Sequence, residues 1–137
     1  VAGFTNYLED KVINHLFGST SYTKPSTWYV GLLTAVPSDS AAGTEVSGGA
    51  YARQAIAWNI TGSGTAQAAS NAAITFPTAT TDWGTAQWAG IYDALTSGNL
   101  CAFVALTQAD FSTANPKVIN SGDIFKIDSG NLKIQLD

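Results

Sequence analysis

The sequence predicts a mainly β fold, a jelly-roll-like β-sandwich of about seven to eight strands with one N-terminal α-helix. Three observations predict it. Short runs of branched and aromatic residues recur from Thr27 onward, separated by turns rich in Gly, Ser and Asn. Only the first segment carries the three- and four-residue apolar spacing of a helix. The 137 residues suffice for one sizeable core, so a single domain is expected over 1–137.

Taken in order, Phe4, Tyr7, Leu8, Val12, Ile13, Leu16 and Phe17 predict a helix over about 5–17. Thr5 is its expected N-cap, Glu9 and Asp10 lie near the positive end of its dipole, and Gly18 is expected to close it in a left-handed cap. Its apolar stripe is expected to dock on the β core or on a neighbouring subunit, its own sandwich being the simpler choice. A buried strand follows over 27–34, then a long Gly- and Ser-rich loop over 36–50, of a length usually reserved for function or mobility. Residues 51–60 read as one strand and 61–65 as a turn. The alanine-rich stretch 66–73 reads as an extended edge leading into 74–77. The centre of the fold is a hairpin of 85–93 and 100–106, joined through Ser97-Gly98-Asn99, residue types that tolerate positive φ. After that turn almost every residue is apolar, so both faces of the second strand are expected to be covered. A second polar loop spans 108–116, and strands follow at 117–120, 124–127 and 132–136. Trp58, Trp88, Ile91, Phe103, Leu106 and Ile134 are the expected core, whereas Trp83, beside a turn, is the expected exposed aromatic.

Charged residues make up 12% of the chain, against ~25% in ordinary soluble domains. Two readings stay open: a surface covered by neighbours, since interface cores are depleted in charge, or an extracellular β domain with a hydroxyl-rich exterior. The net charge of −4 and six scattered basic residues argue against nucleic-acid binding. No segment approaches the ~20 apolar residues of a bilayer span, and no basic stretch followed by an apolar run suggests a signal peptide. A single cysteine, Cys101, excludes an intrachain disulfide.

No complete chemistry can be assembled. His15 is the only histidine, on a helix and far in sequence from Cys101, which sits in an apolar strand as a small hydrophobe. Zinc needs a cluster of such ligands. The carboxylates stand singly and form no EF-hand loop; Asp82, Asp93 and Asp123 are the candidates for a surface calcium site, a weaker reading than none. Gly62-Ser63-Gly64 lacks nucleotide-loop spacing, and no Gly-x-Ser-x-Gly elbow exists. Catalytic, cofactor and metal residues are therefore assigned to none, and a non-enzymatic protein is expected.

Several stretches carry a resemblance. Phe4-Thr5-Asn6-Tyr7-Leu8-Glu9 through His15-Leu16-Phe17-Gly18, Tyr29 to Ala35, Gly48-Gly49-Ala50-Tyr51-Ala52-Arg53-Gln54 and Ile74-Thr75-Phe76-Pro77 resemble a group of small virion proteins of tailed bacteriophages. Asp82-Trp83-Gly84, Gly90 to Ala94, Gly98-Asn99-Leu100 and Leu132 to Asp137 extend the match in the same order over nearly the whole chain. The resemblance implies a structural protein of the phage particle, either a capsid decoration (cement) protein or a tail-fibre component, and brings no catalytic residues. Capsid decoration is the expectation on architecture, because a fibre commonly uses repeats or coiled coils and this chain has neither. The expected partners are the chain itself, as a trimer, and the major capsid protein, with no nucleic acid and no membrane. Contacts are expected from the two polar loops, through Ser38, Asp39, Thr44, Glu45, Val46, Asp110, Phe111 and Asn115. The alternative, a tail-tip module, would offer Trp83 with Asp82 and Asn99 to a host glycan.

Overall fold

The structure, a computed structural model, describes residues 2–62, 64 and 66–136. The expected mainly β chain with one N-terminal helix is what it shows. Thirteen short strands and one helix, α1 (Asn6–Phe17), are formed among the described residues. The principal sheet has six strands: β1 (Ala2–Phe4), β10 (Leu100–Ala105), β9 (Trp88–Tyr92), β2 (Trp28–Ala35) and β3 (Thr44–Glu45) in that order, with β4 (Gln54–Ile56) sharing the outer edge of β2. The expected hairpin is therefore at its centre. Its connection turns on Ser97 and Gly98, both at positive φ (55° and 70°), as a tight reversal between twisted strands requires.

The strand number exceeds the seven or eight expected because two long strands are each divided between sheets, the stretch 66–77 forms two strands, and β1 and β3 form where none was expected. Residues 54–61 break at Ala57: β4 pairs with β2, while β5 (Trp58–Thr61) pairs with β6 (Gln67–Ser70). In the same way 84–92 breaks at Gln87, where β8 (Gly84–Ala86) pairs with β11 (Lys117–Ile119) and β9 with its central neighbours. Gln87 spans the corner by donating its N–H to Leu33 and accepting from Leu106. Such corners let one strand serve two sheets. β6 is not an edge, as its alanines suggested, but lies between β5 and β13 (Lys133–Gln135). β7 (Ile74–Thr75) and β12 (Lys126–Ile127) form the remaining pair. The turn expected over 61–65 includes Ser63 and Thr65, which lie outside the described residues.

Alternation on the central strands places Val30, Leu32, Ala89, Ile91 and Ala102 in the main core, together with Ile74, Phe76, Ile119 and Leu132 from the small sheets. The opposite face carries a second cluster of Tyr92, Leu100 and Phe103, flanked by Tyr29 and Trp88. Of the expected core, Ile91 and Phe103 are buried, and Trp58, Trp88, Leu106 and Ile134 are half-buried against these clusters. Leu100 to Phe103 are all buried, so both faces of that strand are covered.

The helix departs from expectation at both ends and along its face. Thr5 precedes it in extended conformation but makes no side-chain cap; its hydroxyl instead donates to the carbonyl of Leu100 at 2.7 Å, tying the helix start to β10. Gly18 has φ −95°, outside the left-handed region. Leu8 is the buried residue of the helix, while Ile13, Leu16 and Phe17 are 58%, 64% and 82% exposed. The stripe is thus covered only as far as Val12, which is half-buried, and is exposed from Ile13 onward.

Candidate functional site

Two places concentrate polar side chains: a buried node at the edge of β2 and an open groove beside the last three strands. The node begins where the edge of β2 is left unpaired. β4 covers 28–30 and β3 covers 33–35, so the N–H of Leu32 faces the Glu45–Arg53 segment. There the Tyr51 hydroxyl accepts it at 2.9 Å and donates to Glu45 Oε1 at 2.7 Å. Arg53 closes the node with a bidentate pair to Glu45, Nε to Oε1 at 2.8 Å and Nη2 to Oε2 at 2.7 Å. Its Nη1 also donates to the carbonyls of Ala94 and Ser97, at 2.8 and 2.6 Å, and its guanidinium lies 3.5 Å above the Tyr92 ring. One side chain therefore clamps the central hairpin turn to the 45–53 segment. Burial lowers the affinity of Arg53 for its proton, but the hydrogen bond and charge of Glu45 outweigh it and hold the guanidinium ionised. Burial, with the Glu45 charge adding, pushes the Tyr92 phenol up to about 12.

Of the contacts expected from the first loop, Glu45 is thus committed internally and Val46, at 5% exposure, belongs to the core. Val46 is a correction: β3 draws the end of the loop onto the sheet, where the Val46 N–H donates to the Leu32 carbonyl, whereas the Glu45 side chain keeps 26% exposure. Ser38, Asp39 and Thr44 are exposed, and the Asp39 carbonyl accepts the N–H of Asn6 at the helix start. Trp83 also reverses expectation. It is 5% exposed, edge-on to Tyr51 at 5.3 Å and to Phe76 at 6.5 Å, and its indole N–H donates to the Gly49 carbonyl at 2.9 Å. A turn-side position draws an indole inward when a carbonyl is waiting for its one polar atom. Phe111, 50% exposed and at φ 56°, is a surface aromatic, as is Phe17 at the helix end.

Phe111 and Asn115 line the groove; Ser38, Asp39, Thr44, Glu45 and Val46 do not. It measures about 650 Å³ and has Val104, Leu106, Phe125, Ile127 and Leu132 among its walls. Lys117, Lys126 and Lys133, the first residues of β11, β12 and β13, also line it. Sequence reasoning read the basic residues as scattered, because the three stand on different strands. Lys126 pairs with Asp128 at 3.0 Å, in an exposed bridge, and the Lys133 ammonium lies 4.4 Å from the Phe111 ring centre. Asp110 sits beside the groove, but its carboxylate is occupied by the Thr113 hydroxyl and the N–H groups of Ser112 and Thr113, which hold its pKa low.

The groups weighed for catalysis are placed apart. His15 is exposed, its Nδ1 accepting the N–H of Tyr22. Cys101 is fully buried, and desolvation, with the Asp93 charge adding, pushes its thiol up to about 12. It should therefore resist a thiol reagent such as iodoacetamide at pH 8 and take up one equivalent only in denaturant, the thiolate displacing iodide. Rapid native alkylation would show that β10 opens. Asp82, Asp93 and Asp123 each accept backbone N–H groups of turns, from Ser121, Asn99 and Asn120. Among the described residues no three potential ligands are grouped to hold a metal ion.

No curated protein matches the chain. The family model described as podophage GP4 fiber I protein gp80 matches residues 3–135, a span that takes in the helix, the node, the central hairpin and the groove. The chain is a bacteriophage virion structural protein and belongs to the podophage fiber I family.

Proposed function

We propose that the protein is a non-enzymatic component of the tail-fibre apparatus, in place of the capsid decoration expected on architecture. The match to a fiber protein over residues 3–135 carries this reading. The burial of Cys101 and the occupied ring nitrogen of His15 support a structural role over a catalytic one. Immunogold labelling or cryo-electron microscopy of particles tests the location: label on the tail is expected, and copies spread over the shell would restore the decoration reading.

Self-association into a closed cyclic oligomer, the trimer expected from the sequence, belongs to the same proposal. Ile13, Leu16 and Phe17 leave an apolar helix end exposed on a chain with few charges to strand, and closed symmetry limits growth. Light scattering of the purified chain is expected to give a trimer mass that falls to the monomer in Leu16→Ser/Phe17→Ser. A wild-type monomer at all concentrations would overturn it.

A further inference from the structure

We propose that the groove beside β11, β12 and β13 binds a short acidic oligosaccharide, one bearing one or two carboxylates on a hydroxyl-rich ring scaffold. The inference stands on the groove itself and not on where the protein sits in the particle. Three of the six basic residues line it, against one of the ten acidic ones, so a locally cationic trough is set in an acidic chain. Lys117 and Lys133 have no carboxylate within ion-pair distance among the described residues, and the nearby Asp110 is already spent on its own turn. Two ammonium groups are thus available to an anion from outside.

The other walls decide what kind of anion. Gln67, Gln108, Asn115, Asn131 and Gln135 are among the lining residues and carry amides, each both donor and acceptor, which is what a hydroxyl-rich ligand needs and an aliphatic acid does not. Phe111 and Phe125 add ring faces on which the C–H side of a sugar can lie. The volume, about 650 Å³, lies within the range of ligand clefts. A nucleic acid or other long polyanion is disfavoured: its affinity scales with the phosphates neutralised, and three lysines on a chain of net charge −4 neutralise few. Phe111 is held in place for the task, since its ring carries the Lys133 ammonium and its N–H donates to Gln108.

Titration of the isotopically labelled full chain by heteronuclear NMR tests this, with trigalacturonate and sialyllactose as acidic probes, maltotriose as neutral control and hexaglutamate as acidic peptide. At least one acidic sugar is expected to shift the amides of 108–117 and of β12 and β13 saturably, with maltotriose about tenfold weaker. Lys117→Gln and Lys133→Gln should each weaken the acidic sugar about tenfold, the loss of one charge-assisted hydrogen bond. Added salt should weaken it as well. Absence of a saturable shift with both acidic sugars would overturn the proposal. So would unchanged affinity in a folded Lys117→Gln/Lys133→Gln double variant. Tighter binding of hexaglutamate than of either sugar would assign the groove to an acidic protein segment instead.

Discussion

Arg53→Ala is expected to destabilise the fold by about 3–5 kcal/mol, because it breaks a buried ion pair from one side only. The Arg53 side chain is 8% exposed and that of Glu45 26%, so the remaining carboxylate would stay largely out of water without its bidentate partner. Two carbonyls of the central hairpin turn, Ala94 and Ser97, would lose their donor in the same step. Tyr51 would keep its contact to Glu45 but against an uncompensated charge. Chemical denaturation of wild type, Arg53→Ala, Glu45→Leu and the double variant Glu45→Leu/Arg53→Met checks this. The double variant should be more stable than Arg53→Ala, since replacing both charges by apolar groups removes the stranded one. Gly31→Ala should damage the same node from the sheet side: a methyl there would stand 2.7 Å from Glu45 Oε1 and 2.8 Å from the Tyr51 hydroxyl. A loss under about 1 kcal/mol in Arg53→Ala would mean that water reaches Glu45 and the pair acts as a surface bridge.

The node and its surroundings also set a pH window. Tyr92 and Cys101 both have folded pKa values raised to about 12, from ordinary values of 10.0 and 9.0, because burial favours their neutral forms. The stabilisation linked to these neutral forms is complete below the ordinary values and is lost as pH rises from about 9 toward about 12. Urea midpoints should fall across that window, and less steeply in Tyr92→Phe. An unchanged slope in that variant would assign the alkaline loss to other groups.

What could be read from the sequence was local. The helix spacing of Leu8, Val12 and Leu16 and the Ser97-Gly98 reversal are written in neighbouring residues, and both features are present. Thr5 looks like a cap from its residue type, yet a carbonyl nearly a hundred residues away claims its hydroxyl. The corners at Ala57 and Gln87 were invisible because nothing in the alternation of side chains records a change of pairing partner. Val46 sits in a stretch whose glycines and serines say loop, but it directly follows the two-residue strand β3, which is fixed by the edge of β2. The groove was missed for a related reason. Its lysines open three separate strands, and only the folding of those strands toward β10 collects them. The family resemblance rested on the Gly48 to Gln54 stretch among others, and the structure gives that stretch a physical role: it supplies Tyr51 and Arg53 to the node and Gly49 to Trp83.

Trp83→Ala is expected to cost about 3–5 kcal/mol, the usual range for deleting a buried aromatic. The indole fills the junction where the 48–53 segment meets the main core, against Tyr51 and Phe76, and Phe76 in turn packs against Phe125 at 5.7 Å. Removing it leaves a cavity among rings that cannot collapse without dragging β7 and the node together, and it strips the Gly49 carbonyl of its donor. Trp83→Phe separates the two losses: most of the ring volume stays while the hydrogen bond goes, so about 1–2 kcal/mol should be lost. Gly48→Ala attacks the same contact from the other side, because a methyl at that position would collide with Trp83 Cδ1, and overpacking of this kind costs about 1–3 kcal/mol. Thermal and denaturant unfolding of the three variants, followed by near-ultraviolet circular dichroism, checks the order Trp83→Ala, then Gly48→Ala and Trp83→Phe. A cooperatively folded Trp83→Ala with an unchanged midpoint would return the indole to the surface, where the turn-side position in the sequence had put it.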